Sequence, residues 1–172
     1  MRHNKYLMIV LLVAVSSVAL GGGWTAGPTY LRLNQGVAGG HSDNYGVNVG
    51  YDWDLWDSGT FGVEGIGSWA NDAEIYGAGA NIKQTLYKCG DFSMYAGAYA
   101  DYIYATELQK ELPGLGQNEE GLMYGPLFGM KFDINDSTSL FAQYRYGWFD
   151  GGTIRRAFDE ANMAMLGLEF KF

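Results

Sequence analysis

The chain of 172 residues is poor in cysteine, proline and basic side chains. Its single cysteine excludes an internal disulfide framework and a multi-cysteine metal cluster. The 11 lysines and arginines are outnumbered by 19 aspartates and glutamates, so the formal net charge is -8 and the basic footprint of a nucleic-acid-binding protein is missing. The mean hydropathy of -0.12 is too low for a bundle of membrane helices. The length fits one domain.

Glycine and aromatic residues are abundant instead. The 26 glycines are about twice the usual share of roughly 7%, and they lack the three-residue period of collagen. Aromatic side chains make up 16% of the chain, which argues against disorder because they supply apolar surface for folding.

The N-terminus has the pattern of a secretory signal peptide. A basic start is followed by an apolar run over residues 7–20 and then by small residues. A membrane-spanning helix needs about 20 apolar residues, so this run is too short. Cleavage is expected after Gly21 or Gly23, and we assign 1–23 to a cleaved signal peptide and 24–172 to the mature domain. A retained membrane anchor is the alternative.

The rest of the chain alternates between apolar and polar residues with a period of two, which predicts strands. In the last strand, Leu166, Leu168 and Phe170 share one face, while Glu169 and Lys171 share the other. Seven further segments show the same pattern, so eight strands are predicted. The first strand is the weakest, and its apolar face is assigned to Leu31 and Leu33 with Arg32 opposite. Pro126 lies within the sixth strand, where its missing N–H predicts a local bulge or distortion.

The connections between the predicted strands alternate in length. The short ones follow strands two, four and six, at 54–59, 88–91 and 135–137. The long ones follow strands one, five and seven, at 35–44, 105–121 and 150–161. The connection at 71–74 is a short exception. Short turns at one end and long loops at the other are typical of a membrane β-barrel.

Aromatic residues on the apolar faces sort into two belts. The short-turn end carries Trp53, Phe61, Phe92, Phe132, Phe170 and Phe172. The long-loop end carries Tyr45, Trp69, Tyr76, Tyr102, Tyr104, Tyr124, Tyr146 and Trp148. Small aliphatic residues lie between the belts, as they do in membrane barrels. A sheet in hydrocarbon must close on itself because unpaired backbone groups are costly there. The predicted fold class is all-β, an eight-stranded antiparallel up-and-down transmembrane β-barrel; a secreted barrel or sandwich is the alternative.

From about residue 28 to residue 172 the chain resembles the small eight-stranded outer-membrane proteins of the OmpA, OmpX and Opa type. Gly167, Phe170 and Phe172 reproduce the glycine–x–x–aromatic–x–aromatic ending that this class presents to the barrel-assembly machinery, although Met165 replaces a usual polar residue. The chain ends at the last aromatic of the barrel, so no periplasmic domain is expected after it. The resemblance implies residence in the cell outer membrane and contact with outer-membrane lipid, but no enzymatic activity.

Charged residues on the mixed faces are expected to fill a narrow lumen. The basic ones are Arg32, Lys83, Lys131, Arg145 and Lys171, and the acidic ones are Asp52, Asp54, Glu64, Asp101, Asp133 and Glu169. Because buried charges need partners, we expect a salt-bridged plug. The expected pairs are Glu64 with Lys83, and Arg32 with Asp52 or Glu169. A narrow path for solutes or ions is the alternative, since inward glycines such as Gly129 and Gly147 would leave water-filled space.

Other candidate sites are weaker. His41, Ser42 and Asp43 suggest a lipid A-modifying enzyme, but adjacent residues on one loop do not make a triad. Cys89 is expected to be an isolated thiol in a periplasmic turn. Arg155 and Arg156 are placed to meet the phosphates of lipopolysaccharide. We expect no catalytic, cofactor-binding or metal-ligating residue.

The sequence therefore predicts an outer-membrane barrel with a structural or adhesin-like surface role. A narrow channel is the second hypothesis and a lipid A-modifying enzyme the third.

Overall fold

A computed structural model describes residues 22–34, 41–69, 74–106, 118–156 and 158–171. The predicted signal peptide lies outside these residues, except that the first strand already begins at Gly22. The eight strands are β1 (Gly22–Asn34), β2 (His41–Trp56), β3 (Gly59–Trp69), β4 (Glu74–Cys89), β5 (Phe92–Thr106), β6 (Asn118–Asn135), β7 (Thr138–Asp150) and β8 (Glu160–Lys171). A short 3-10 helix, Ile154–Arg156, lies between β7 and β8.

The strands form one closed antiparallel barrel in chain order, and β1 pairs with both β2 and β8. The predicted fold class is therefore confirmed. Two-residue turns at 57–58, 90–91 and 136–137 join the strands at one end, which we call the short-turn end. The longer connections lie at the opposite, long-loop end. No helix in the described ranges has the length and apolar character needed to cross a membrane.

Paired residues trace a spiral around the barrel. A path that starts at Trp24 and moves from each residue to its partner on the next strand returns to β1 at Asn34, ten residues farther along the chain. The path runs through Tyr51, Val63, Ala80, Ala100, Tyr124, Trp148 and Glu160. Tilted strands with such a stagger are what closes a barrel. Partners on neighbouring strands therefore lie at different heights along the barrel axis.

Two prolines interrupt the backbone ladder without shifting it. Pro126 keeps its partner Ala98 on β5, but the β6–β7 pairing skips residues 125 and 126 and resumes in the same register. Pro28 has the same effect between β1 and β8. Register shifts instead occur near the short turns, at 54/56, 85/87 and 133/135. The distortion expected at Pro126 is thus a gap in the pairing and not a bulge, because proline removes one donor but adds no residue.

The outer surface carries most of the predicted apolar and aromatic residues. Val47, Val49, Met130 and Leu166 are exposed between the two ends of the barrel. The exposed aromatic residues nearer the ends include Tyr45, Phe61, Trp69, Tyr76, Tyr102, Tyr104, Tyr124, Phe132, Trp148 and Phe170. Trp53 is an exception because it is buried, with its ring 5.9 Å from that of Phe61. Phe172 lies outside the described residues.

The face assignment of β1 was wrong. Leu31 and Leu33 are fully buried inside the barrel, whereas Tyr30 and Arg32 point outward. The ring of Tyr30 lies 5.3 Å from that of Tyr45 on the outer face of β2. The physical reason is that apolar side chains also pack inside the lumen at this height, so apolar side chains on β1 do not mark the lipid-facing side.

Candidate functional site

The lumen holds a buried ion cluster near its middle. Arg145 on β7 reaches across the barrel to Glu64 on β3, with Nη2 2.7 Å from Oε2 and a second contact from Nη1 to Oε1. Nη1 also lies 3.2 Å from Oδ2 of Asp101 on β5. The side chains of Arg145, Glu64 and Asp101 are only 1%, 5% and 0% exposed. The guanidinium also packs 4.9 Å from the centre of the Tyr99 ring. One buried cation thus holds strands from three parts of the wall together.

A second set of ion pairs lies closer to the short-turn end. Lys83 donates a hydrogen bond to Asp52, and Lys131 Nζ lies 3.3 Å from Glu169. Lys171 approaches the same Glu169 at 3.9 Å.

The charged lumen is therefore observed, but the predicted pairs of Glu64 with Lys83, and of Arg32 with Asp52 or Glu169, are wrong. Arg32 lies outside the barrel, and Glu64 is paired with Arg145, a residue that the sequence offered no way to match with it.

Inward glycines do not leave the lumen empty. A Cβ atom at Gly129 would lie 2.3 Å from the ring of Tyr95, and one at Gly147 would lie 2.1 Å from the Tyr99 hydroxyl. Glycine is required at these positions because two bulky inward tyrosines lie against the backbone there. At these two positions the tyrosine side chains therefore occupy the space that the alternative of a narrow path would need.

Toward the long-loop end most buried side chains of the lumen are apolar, with the polar Ser42, Asn44, Ser68 and Glu119 buried among them. We call this set of apolar side chains the outer plug: Leu31, Leu33, Ile66, Ile75, Ile103, Met123, Phe149, Ile154, Phe158, Ala161 and Met163. Ile154 and Phe158 come from the β7–β8 connection and are fully buried, with the Phe158 ring 6.4 Å from that of Phe149. The outer plug was not foreseen. A sequence signal for it is that some strands, such as β5 with Ile103 and Tyr104, are apolar on both faces near this end.

Open space is found toward the short-turn end. A polar cavity of about 50 Å³ is lined by Asp52, Lys83, Glu169 and other side chains of the charged half of the lumen. The mouth beyond it is a wider pocket of about 620 Å³, with Asp54, Asp133 and Lys171 on its walls. Within the described residues, the open space of the lumen therefore lies toward the short-turn end, and the outer plug lies toward the other end.

The His41–Ser42–Asp43 sequence does not form a catalytic arrangement. Ser42 faces the lumen, buried, where its Oγ accepts a hydrogen bond from Asn44, whereas Asp43 is on the outer face. His41 Nε2 lies 3.6 Å from Asp43 Oδ2. Successive residues of a strand point to opposite faces, so the serine is separated from both partners.

Asp43 is instead one centre of a polar cluster on the outer rim. Its carboxylate accepts hydrogen bonds from Arg32 Nε at 2.7 Å and from the Tyr30 hydroxyl at 2.7 Å. Asp43 lies beyond the aromatic Tyr30 and Tyr45, outside the apolar band. The hydrogen bonds from Arg32, and then from Tyr30, lower the pKa of Asp43 to about 2.

The β7–β8 connection forms a groove on the outer rim. The groove has a volume of about 380 Å³ and is lined by Tyr124, Trp148, Phe149, Asp150, Arg155 and Asp159. Arg155 is 64% exposed, and its Nη1 lies 3.4 Å from Asp150 Oδ1. The side chain of Arg156 lies outside the described residues. We call this feature the rim groove, and the sequence indicated only its arginine.

Cys89 is the last residue of β4 and is an exposed free thiol at the short-turn end. Within the described part of the chain, no group of three or more His, Cys, Asp or Glu side chains is placed to hold a metal ion.

Solved structures with the same architecture are outer-membrane and surface proteins. The chain is similar to Neisserial surface protein A, with a TM-score of 0.73 and 16% identity over 88% of this chain and 97% of the other. It is also similar to Ail, the attachment invasion locus protein of Yersinia pestis, with a TM-score of 0.56 and 14% identity over 89% and 99%. The outer membrane protein OprG from Pseudomonas aeruginosa gives a TM-score of 0.50 at 10% identity over 89% and 97%.

This chain has the fold of the small outer-membrane β-barrels. The resemblance expected from the sequence is confirmed at the level of fold, and the predicted outer-membrane localisation agrees with these neighbours. No protein-family model and no curated protein matches the chain. The identities of 10–16% carry the fold alone, so the role of this barrel must come from its own lumen and surface.

Proposed function

We propose that the protein is an integral outer-membrane barrel with a closed lumen and a structural or adhesin-like role at the cell surface. In this proposal residues 1–23 direct export and are removed. The short-turn end faces the periplasm, and the long connections face outward, as in other barrels of this kind. The C-terminal strand, with Gly167, Phe170 and Phe172, is the segment that we expect the barrel-assembly machinery to bind.

The observation that supports a closed lumen is the outer plug. Ile154 and Phe158 fold from the β7–β8 connection into the mouth, and both are fully buried. Below them, Arg145 bridges the barrel to Glu64 and Asp101. An ion that crossed this barrel would have to displace packed apolar side chains, which cannot replace the water molecules of its hydration shell.

Planar-bilayer recording tests the closed lumen. The purified barrel is expected to give no steady conductance, whereas a known porin in the same bilayers serves as the positive control. Stable single-channel openings that disappear in Glu64→Gln or Lys83→Met would overturn the proposal in favour of a narrow channel. One observation favours that second hypothesis, because polar open space extends into the lumen from the short-turn end.

The surface role is supported by the position of the outward connections and the rim. The wall faces lipid and the outer plug packs the lumen toward the long-loop end, so the outward connections and the rim are what remains for contacts at the cell surface. Neighbours of the same fold are a surface protein and an attachment invasion locus protein. Whole cells that display the barrel should bind host cells or matrix more than cells carrying an empty vector. Replacement of 107–117 by a short glycine–serine linker should remove that gain, and unchanged binding would contradict the adhesin-like role.

Lipopolysaccharide is the proposed partner in the membrane, with Arg155 and Arg156 as its contacts. A double Arg155→Ala/Arg156→Ala variant that keeps full lipopolysaccharide binding would remove this part of the proposal. A lipid A-modifying activity has no assembled site at His41, and a lipid A mass shift that is lost in His41→Ala would revive it.

A further inference from the structure

The backbone that carries the rim groove is held in place by contacts with β6. Gly151 and Gly152 adopt left-handed φ values of 68° and 69°, which turn the chain back toward β6. Thr153 N donates to Glu120 O at 2.8 Å, and Glu120 N donates to Thr153 Oγ1 at 3.1 Å. A Cβ atom at Gly152 would lie 1.9 Å from Glu120 O, so the turn is seated directly on β6. The turn that carries Arg155 is therefore fixed to the wall.

The side chains of the next two residues point to opposite sides, one into the barrel and one out of it. Ile154 is fully buried in the outer plug, while Arg155 beside it projects from the rim. Burial of Ile154 thus anchors the short 3-10 helix and limits where the guanidinium can go. An arginine held in this way loses less conformational entropy on binding an anion than a free loop arginine does.

Two aromatic rings form the wall of the rim groove. The Tyr124 and Trp148 rings lie 6.3 Å apart at an angle of 49°, and both are about two-fifths exposed, at 40% and 42%. Rings that open toward solvent in this way offer apolar faces against which the C–H side of a pyranose can pack. Asp150 and Asp159 add carboxylates that accept hydrogen bonds from hydroxyl groups.

The charges of the rim groove favour a ligand that carries both an anionic group and hydrogen-bond donors. Arg155 is paired with Asp150 at 3.4 Å, and both side chains are more than half exposed, so this ion pair contributes little and an incoming anion can replace it. A phosphate offers the guanidinium a bidentate contact. The two carboxylates would repel a ligand made only of phosphate, but they suit a ligand that also carries hydroxyl or amino groups.

The height of the groove points to the source of the ligand. Tyr124 and Trp148 belong to the aromatic belt at the long-loop end, which lies at the boundary between hydrocarbon and head groups. We propose that the rim groove binds the phosphorylated sugar headgroup of an outer-leaflet glycolipid, with the sugar against Trp148 and Tyr124 and the phosphate on Arg155. This inference rests on the proposed outer-membrane orientation and assigns the lipid contact to one side of the barrel.

Native mass spectrometry of the mature barrel in detergent, titrated with purified lipid A, tests the proposal. Arg155→Gln and Trp148→Leu should each weaken lipid A binding about tenfold, because each removes one of the two main contacts. Arg32→Gln and Trp69→Leu are matched controls, since they also change an outward rim arginine and an exposed belt tryptophan, and they should change the affinity less than about twofold. Heat-dependent mobility on gels confirms that each variant is folded.

Two results would overturn the assignment. If Trp69→Leu and Arg32→Gln weaken binding as much as their counterparts do, the contact is spread over the belt and the rim groove is not a site. If soluble glucosamine 1-phosphate binds as tightly as lipid A, the ligand is a free sugar phosphate and not a membrane glycolipid. Should Trp148→Leu fail to fold, Arg155→Gln decides the question, because its exposed side chain supports no core.

The failure of this inference and of the proposed surface role are distinguishable. Whole-cell binding is measured with the same Arg155→Gln variant. Lost lipid A binding with intact cell binding supports the rim groove and leaves the surface role to other connections, whereas intact lipid A binding refutes the rim groove whatever the cells do.

Discussion

Removal of the Arg145 guanidinium should be among the most destabilising single changes in the lumen. Arg145→Met keeps most of the side-chain volume but leaves Glu64 and Asp101 without their shared cation, at side-chain exposures of 5% and 0%. Breaking a buried ion pair by removing one partner costs about 3–5 kcal/mol, because a charge is left uncompensated. We expect a loss in that range in the free energy of unfolding.

The asymmetry of the cluster supplies the controls. Glu64 receives two contacts from the guanidinium and Asp101 only one, and Asp101 Oδ1 is buried without a hydrogen-bond partner. Asp101→Asn removes the excess negative charge and preserves the Arg145–Glu64 pair, so it should cost no more than about 1 kcal/mol. A triple variant, Arg145→Met/Glu64→Leu/Asp101→Leu, should recover most of the loss, because an apolar replacement of a whole buried ion cluster is about neutral.

Urea unfolding in phosphatidylcholine vesicles, followed by tryptophan fluorescence, measures these differences. The reasoning is refuted if Arg145→Met lies within about 1 kcal/mol of the unmodified barrel, or if Asp101→Asn loses as much as Arg145→Met does.

Three further outcomes follow from the wall and the rim. The pKa of Asp43, about 2, should rise toward its ordinary value in Arg32→Gln, as read from carboxyl chemical shifts in an NMR titration. The stabilising contact of Asp43 with Arg32 is fully present above the ordinary pKa of the carboxyl group and is lost as the pH falls through about 2. A loss of stability on alkalinisation would contradict this contact. Gly129→Val should destabilise the barrel by about 1–3 kcal/mol in urea unfolding, because the new side chain meets the Tyr95 ring, and an unchanged midpoint would show that the ring moves freely. Pro126→Ala supplies the missing N–H donor toward β7 and should stabilise the barrel by about 0.5–1.5 kcal/mol, with slow exchange of the new amide at position 126; fast exchange of that amide would contradict a ladder hydrogen bond there.

The wall of the barrel was predictable because it obeys a simple rule. Strand side chains alternate between two faces, and a lipid-facing surface must be apolar on every strand, so the eight strands and their short turns follow from the sequence. The aromatic residues of the outer face are equally regular. Local pattern is sufficient where every position meets the same environment.

The lumen was not predictable in the same way. Which charges meet depends on the ten-residue stagger between the two ends of the pairing path, and no single strand reveals that stagger. Arg145 and Glu64 lie 81 residues apart and touch only because the tilt brings β3 and β7 to a common height. The wrong face assignment of β1 has a related cause, since the apolar Leu31 and Leu33 pack in the outer plug and not against lipid. The rim groove depends on the fold of a connection, where periodicity gives no information.

The outer plug has a consequence for how the barrel is made. In that half of the wall some strands are apolar on both faces, so before the cylinder closes a partly formed sheet exposes more apolar area there than in the charged half. Such a sheet would insert its long-loop end into lipid first, while its charged half stays at the aqueous boundary. Closure then buries the apolar inner face in the lumen. The pairing of β1 with β8 is therefore coupled to the burial of Leu31, Leu33 and Met163.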